Sequence, residues 1–193
     1  IVPARNEEAV LEPALRSRLQ DADPNLQFIF INDRSTDRTG AIMASVAEED
    51  HRVEYLEIES LPEGWLGKVH AMHVGFEAAA GSWILLSDAD VHVEPGVVRR
   101  TVEMAEHSDV DHLAAMPSIR TPSIGLRLCL APLMRLLIVV VRLWAVRVPE
   151  SSAAMGVGAF NLVRRDAFIA AGGLEALRME VIDDIGVGAI IKR

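Results

Sequence analysis

Trp83-Ile84-Leu85-Leu86-Ser87-Asp88-Ala89-Asp90 is the stretch that decides the architecture. Its first half shows no alternation of polar and apolar residues, and such a run reads as a short strand buried on both faces. Two carboxylates follow at once. The same construction occurs twice upstream, where Ile1-Val2-Pro3 leads to Asn6-Glu7 and Phe28-Ile29-Phe30-Ile31 leads to Asn32-Asp33. Between these runs apolar residues recur at helical spacing: over Glu7–Leu19, through Ile42, Met43 and Val46, and over Lys68–Ala80. Val53–Ile58 and His112–Met116 read as further strands, and a helix is predicted from Pro95-Gly96 to about His107. The alternation predicts an α/β fold with a mostly parallel central sheet flanked by helices. Ligands of such sheets sit beyond the carboxyl ends of the strands. Asn6-Glu7, Asn32-Asp33 and Asp88–Asp90 are therefore expected on one rim.

The chain has 193 residues, of which 50% are hydrophobic and 24% charged. That is a globular composition, long enough for one domain with a real core and too short for a second full one. Net charge is −9, which argues against general nucleic-acid binding, since phosphate backbones need a basic surface. The single cysteine, Cys129, excludes an internal disulfide and a thiolate metal cluster. Ile1-Val2-Pro3 reads as the end of a strand and Ile190-Ile191-Lys192-Arg193 as the inside of a helix, so the sequence is expected to be a fragment of a longer protein. No P-loop, dinucleotide-binding glycine fingerprint or nucleophile elbow occurs, which disfavours kinases, ordinary dehydrogenases and α/β-hydrolases.

Ile124–Val148 differs in composition. It carries Arg127, Arg135, Arg142 and Arg147, no acidic residue, and otherwise mostly apolar side chains with Trp144. Its longest uninterrupted apolar run, Leu136–Val141, is far below the roughly 20 residues of a spanning helix. The spacing puts Arg127, Arg135 and Arg142 on one helical stripe opposite a broad apolar face. This suits a helix lying in a membrane interface; the other reading is a core helix whose arginines pair elsewhere.

Hard divalent cations take oxygen ligands and keep positions open for substrate phosphates. If Asp88-Ala89-Asp90 is extended, both carboxylates project to one side and Ala89 to the other. Asp33 is placed to accept hydrogen bonds from a nucleobase, with Ser35 or Thr36 capping the next helix. The segment is equally readable as capping chemistry alone. Gly64-Trp65-Leu66-Gly67-Lys68 opens a helix at which Lys68 is positioned to meet a phosphate. Asp183-Asp184 is a paired carboxylate whose mutual repulsion raises one pKa, a useful property for a general base; it is also an acceptable acidic helix start. His70 and His73, one turn apart with no third ligand nearby, read as surface or packing histidines.

The order of these motifs is more telling than any one of them. Pro3…Asn6-Glu7, Asn32-Asp33-x-Ser-x-Asp37, Gly67-Lys68, Asp88-Ala89-Asp90, Gly158–Arg165, Gly172-Gly173 and Ile182-Asp183-Asp184 together resemble the family 2 inverting glycosyltransferases of GT-A fold, over nearly the whole chain. Gly64–Lys68 and Gly172–Arg178…Ile182-Asp183-Asp184 look like the membrane-associated branch linked to hopanoid biosynthesis. The resemblance implies a single catalytic domain, with a Rossmann-like nucleotide-sugar-binding half over residues 1–117. Residues 118–193 would form the acceptor and base half, including the basic apolar helix. It further implies that Pro3, Glu7, Asp33, Lys68 and Asp88 bind the nucleotide-sugar and that Asp90 binds a divalent metal, Mn or Mg. Asp184 would be the catalytic base, supported by Asp183. Asn32 stands where the family usually has Asp, and Asp183 where it has Glu. The later Gln/Arg-x-x-Arg-Trp motif would lie beyond Arg193.

The reaction so implied is a single displacement with inversion. The basic helix suggests a lipid or polyprenoid acceptor at the cytoplasmic face of the cell membrane. Two rivals are weighed. A sugar-phosphate nucleotidyltransferase would begin with a glycine-rich loop, and Pro3-Ala4-Arg5-Asn6-Glu7-Glu8 has no glycine. An inactive membrane-peripheral binding protein would not need the full set of carboxylates that the chain retains.

Overall fold

The computed structural model describes residues 1–119, 123–148 and 150–192; Arg193, the last residue of the expected terminal helical run, lies outside them. Strands β1 (Val2–Ala4), β2 (Phe28–Asp33) and β3 (Val53–Ile58) pair in parallel with β2 in the middle, Val2 opposite Phe30 and Phe30 opposite Tyr55. Strands β4 (Trp83–Leu86) and β5 (His112–Ala114) run antiparallel to β6 (Asn161–Arg164), which lies between them. Two hydrogen bonds join the groups. The Ile1 ammonium donates to the Leu85 carbonyl at 2.8 Å, and the Ser87 N–H donates to the Ile1 carbonyl at 3.1 Å. That is the slanted pattern of a parallel bridge. The strands therefore line up as β3-β2-β1-β4-β6-β5, with β6 reversed, and the mostly parallel α/β expectation holds.

Side-chain alternation in β2 divides the core between the two faces. Phe30 joins Val2 and Ala4 beneath helices α1 (Leu11–Leu19) and α2 (Thr39–Glu49), against Leu11, Leu15, Met43 and Val46. Ile29 and Ile31 face the other way, with Ile84 and Leu86, onto helix α3 (Gly67–Ala78) through Val69, Met72 and Phe76. Each such fully buried side chain is worth about 1.5–3 kcal/mol. Helix α4 (Val97–His107) leads into β5. The helix α1 begins four residues later than its apolar spacing predicts. Asn6 turns into left-handed backbone at φ 56°, Glu7–Val10 forms a turn, and Pro13 then falls in the first helical turn, where its missing N–H is harmless. A start at Glu7 would have placed Pro13 inside the helix.

Helix α5 (Ile124–Val140) has no buried residue, so the core-helix reading fails. Arg142 is in left-handed backbone beyond its end, at φ 52°, and donates to Ser152 Oγ at 2.9 Å. The three-arginine stripe is thereby corrected to Arg127 and Arg135. A 3-10 turn, Leu143–Ala145, extends the helical stretch. Taken as Ile124–Ala145, 22 residues, it is long and apolar enough to cross a membrane, which the short Leu136–Val141 run had not suggested. Helix α6 (Arg165–Ala170), a 3-10 turn at Gly173–Leu177 and helix α7 (Asp183–Ile191) close the chain over α3.

Candidate active site

A small cleft lies at the carboxyl ends of β1 and β4, where the first turns of α3 and α7 meet. Pro3, Lys68, Asp88, Gly158, Asp183 and Asp184 line it. Lys68, at the second position of α3, places Nζ 2.8 Å from Asp88 Oδ1 and 3.5 Å from Asp183 Oδ2. Burial alone would lower the Lys68 pKa, but the two carboxylates outweigh it and hold the ammonium above its ordinary value. Burial raises the Asp183 carboxyl, with repulsion from Asp184 adding to it and Lys68 opposing. The paired-carboxylate expectation is thus met at Asp183, the neighbour of the predicted base. Two of the sequence's readings of this pair hold together, because α7 also starts there.

Asp184 is fixed from three sides. Its Oδ2 accepts from the Gly158 N–H at 3.1 Å and its Oδ1 from the Ile185 N–H at 2.9 Å, while its main-chain carbonyl accepts from Asn161 Nδ2 at 3.1 Å. Asn161 is 2% exposed, and its Oδ1 lies 2.6 Å from His112 Nε2. Gly158 serves both halves of the cleft. Its carbonyl accepts from the Asp88 N–H at 2.9 Å, and a Cβ on it would stand 2.7 Å from Asp88 Oδ2. A side chain at Gly156 would overlap the Asp184 carbonyl. These close approaches explain why positions 156 and 158 are glycines.

Asp88-Ala89-Asp90 is a turn rather than an extended segment, with the Val91 N–H 3.5 Å from the Asp88 carbonyl. Of the predicted division only the inward Ala89 is present, in the cluster of Leu11 and Leu15; Asp88 lines the cleft, whereas Asp90 is exposed and outside its lining. Beneath the turn lies Arg18, 5% exposed, donating from Nη2 to Ser87 Oγ at 3.0 Å and to the Asp88 carbonyl at 2.7 Å. Burial lowers its pKa to about 10, against the pull of Asp90 and Asp88, so it stays cationic at neutral pH. The sequence reading missed Arg18. Its signal was an arginine continuing the buried Leu11, Ala14, Leu15 stripe of α1.

Among the described residues no group of three or more His, Cys, Asp or Glu side chains is placed to hold a metal. The carboxylate oxygens of Asp88 and Asp90 are donors of the kind that Mg²⁺ takes, an ion that accepts one or two carboxylates and completes its shell with water and substrate phosphates.

Asp33 lies one step along the rim. It is 4% exposed, and both its oxygens are engaged by Arg34, Nε at 2.7 Å and Nη2 at 3.1 Å. Gly67 packs against this pair, a Cβ there falling 2.7 Å from Asp33 Oδ2 and from Arg34 Nη2. Asn32 is structural, donating to Glu57 Oε1 at 3.1 Å. Ser35 and Thr36 do not cap α2, contrary to expectation. Ser35 Oγ accepts from the Asn6 N–H at 3.0 Å, the Thr36 N–H donates to Asn6 Oδ1 at 2.8 Å, and Asp37 Oδ1 takes the Thr39 N–H at 2.9 Å. The side chains of these loops lace β1 to β2 instead. Glu7 belongs to that lacing, its N–H donating to Thr39 Oγ1 at 2.8 Å, and it does not line the cleft. His70 and His73 pack on Trp65, at 5.5 and 4.9 Å between ring centres, as read from the sequence. A larger cavity opens among the starts of β2 and β4 and helix α4, lined by Asp21, Asp23, Arg99 and Glu103 and reaching Arg18 and Ser87, while Lys68, Asp88, Asp183 and Asp184 are not in its lining.

The sequence matches Glycosyl transferase family 2 over residues 1–172. The chain belongs to this family. Among its relatives, the uncharacterized glycosyltransferase EpsJ of Bacillus subtilis is 30% identical over 111 residues, 58% of this chain and 31% of that protein. The mannosyltransferase PcManGT from Pyrobaculum calidifontis, solved with GDP-Man and Mn²⁺, superposes with a TM-score of 0.61 at 20% identity, over 89% of this chain and 45% of the other. TarS 1–349 of S. aureus, solved with UDP-GlcNAc, superposes with a TM-score of 0.59 at 15% identity, over 89% of this chain and 46% of the other. These likenesses show the GT-A fold. The chain spans about a third of the length of that family 2 relative and less than half of either structure.

Proposed function

We propose that the protein is an inverting glycosyltransferase that moves a sugar from a nucleoside-diphosphate donor to an acceptor hydroxyl, with the donor half at residues 1–117 and the base half at 118–193. The observation that carries it is the meeting of Lys68, Asp88, Asp183 and Asp184 at the strand ends, with Gly158 bonded to both aspartates of the two halves. Structures of this fold hold GDP-Man or UDP-GlcNAc, which supports a nucleotide-sugar donor.

Asp184 takes the proton from the acceptor hydroxyl as that oxygen attacks the anomeric carbon from the face opposite the leaving diphosphate. Two main-chain N–H groups and Asn161 orient the base, so little reorganisation is required at the moment of reaction. Lys68 presents positive charge toward the donor, and Asp183 keeps that ammonium over the cleft. A divalent ion, when held by Asp90 with Asp88, supplies further charge for the departing diphosphate. Pro3 and Asp33 border the nucleoside side, and Glu7 acts from the laced loop behind them.

The acceptor is a lipid or polyprenoid presented at the cytoplasmic face of a membrane. The exposed apolar surface of α5, with Arg127 and Arg135, supports this reading. Gly64–Lys68 and Gly172–Arg178 with Ile182-Asp183-Asp184 support placement in the branch linked to hopanoid biosynthesis. The test is Asp184→Asn in the full-length protein. It should keep UDP or GDP affinity and lose turnover by two or more orders of magnitude; near wild-type turnover would remove Asp184 from the role of base.

A further inference from the structure

Arg34 is held in left-handed backbone, φ 56°, a conformation that side chains other than glycine avoid for steric reasons. Strain of this kind persists where its surroundings fix it, and it gathers at ligand sites. Here Asp33 does the fixing, through Nε and Nη2. The Asp33 side chain is 6% exposed and that of Arg34 21%, so the accessible part of the pair is the guanidinium. Nη1 has no hydrogen-bond partner among the described residues. Nη2 stands over Gly67, and the next residue, Lys68, reaches Asp88 and Asp183. Arg34 is therefore placed beside the first residue of α3, next to the Lys68 that lines the cleft.

We infer that Arg34 presents its unused guanidinium N–H groups to a carbonyl oxygen of the donor's nucleobase. It thereby selects bases with a carbonyl at that edge, uracil or guanine, over cytosine and adenine, which carry an amino group there. The inference rests on the nucleoside-diphosphate reading of the cleft. Its chemical basis is that a guanidinium donates five hydrogen bonds and accepts none. A carbonyl satisfies it, whereas an amino group sets donor against donor and leaves both unpaired. The diphosphate is a poorer match for Arg34. Asp33 already neutralises its charge, while Lys68 and the Asp88–Asp90 turn supply the cationic and metal-holding groups at the other end.

Titration calorimetry of UDP, GDP, CDP and ADP with Mn²⁺ into the full-length protein tests this, using wild type, Arg34→Met and Arg34→Lys. Lysine keeps a cation for buried Asp33, so this variant folds even where methionine does not, but it lacks the planar fork. The wild type should favour UDP or GDP over CDP and ADP by tenfold or more, the discrimination expected of a good side-chain-to-base contact. Arg34→Met should reduce that ratio toward one, and Arg34→Lys, still a donor but without the fork that holds Asp33 and a base at once, should lower it part of the way. An unchanged ratio in either folded variant overturns the inference, as does an equal fall for all four nucleotides, which would assign Arg34 to the diphosphate. If the wild type binds none of the four, the nucleotide reading itself fails and takes this inference with it.

Discussion

Replacing Gly158 by Ala probes the peptide on which both halves of the cleft depend. The new Cβ would stand 2.7 Å from Asp88 Oδ2 and 3.3 Å from both Cγ and Oδ1, against the 3.5–4.0 Å or so at which carbon contacts are comfortable. The obstacle is the end of a side chain, so the Asp88 carboxylate swings aside and its 2.8 Å contact with Lys68 is lost. Overpacking of this kind costs about 1–3 kcal/mol, which for a chain of this size lowers Tm by about 2–4 °C per kcal/mol. The variant should fold, melt a few degrees early and bind UDP with Mn²⁺ at least tenfold more weakly. Gly156→Ala is the control for geometry. There the added atom overlaps the Asp184 carbonyl and lies 2.9 Å from the Ile185 nitrogen. Both are main-chain atoms of the first turn of α7 and cannot swing. Gly156→Ala should melt well below Gly158→Ala. Thermal melts and UDP titrations of the two decide the matter. A Gly158→Ala protein that binds UDP like wild type, or a Gly156→Ala protein that melts above it, would refute the reasoning.

Asn161→Ala removes the side-chain donor to the Asp184 carbonyl and leaves His112 Nε2 without its partner; at about 1–3 kcal/mol for a stranded buried group, urea denaturation should show a loss of about 1–3 kcal/mol, with turnover falling more than UDP affinity. Asp183 has a folded-state pKa raised by burial above its ordinary value of 3.8, so above that value the native state keeps a proton that the unfolded chain has released. Stability therefore declines as pH rises through the window, and Asp183→Asn should remove that decline in urea titrations run at successive pH values; an identical slope in the variant would contradict the burial argument. Arg135→Gln should weaken flotation with anionic vesicles by about fivefold, the worth of one arginine at about 1 kcal/mol, whereas Arg142→Gln, outside the helix and bonded to Ser152, should float like wild type.

What the sequence made legible follows from where each signal resides. The apolar runs of β1, β2 and β4 and the polar groups after them are local patterns, and the strand ends stand where those patterns place them. The strand β6 was not legible because four residues inserted antiparallel between β4 and β5 carry no helix-alternation signal; only pairing over a long separation defines them. The start of α1 was misplaced because apolar spacing ignores Asn6 and Pro13, which set the boundary. The α5 arginine stripe was overextended because helical spacing assumes the helix continues, and the backbone reverses hand at Arg142. The resemblance named Lys68, Asp88 and Asp184, and the structure brings them to one cleft; the link of the two aspartates through Gly158 was not legible, since a glycine's reason for being there is the neighbour it admits. Arg18 and Asn161 were missed for a related cause. Each bonds a main-chain carbonyl of a residue lining the cleft, Asp88 or Asp184, and such partners leave no trace in spacing.

The reversed strand also explains how two remote parts of the chain come to share one cleft. Asp88 follows β4 and Gly158 precedes β6, and because these strands are antiparallel the end of one lies beside the start of the other. The peptide groups flanking Gly158 then meet both sides: its carbonyl takes the Asp88 N–H and its N–H gives to Asp184. Had β6 run parallel, its start would lie at the opposite edge of the sheet, about 13 Å away for a four-residue strand, and Asp184 would have no main-chain donor from that segment. A displacement of Asp88 is therefore felt at Asp184 through a single residue without a side chain to absorb it. That coupling predicts that Asp88→Asn and Gly158→Ala together cost less UDP affinity than the sum of their separate effects, as expected of two changes in one contact.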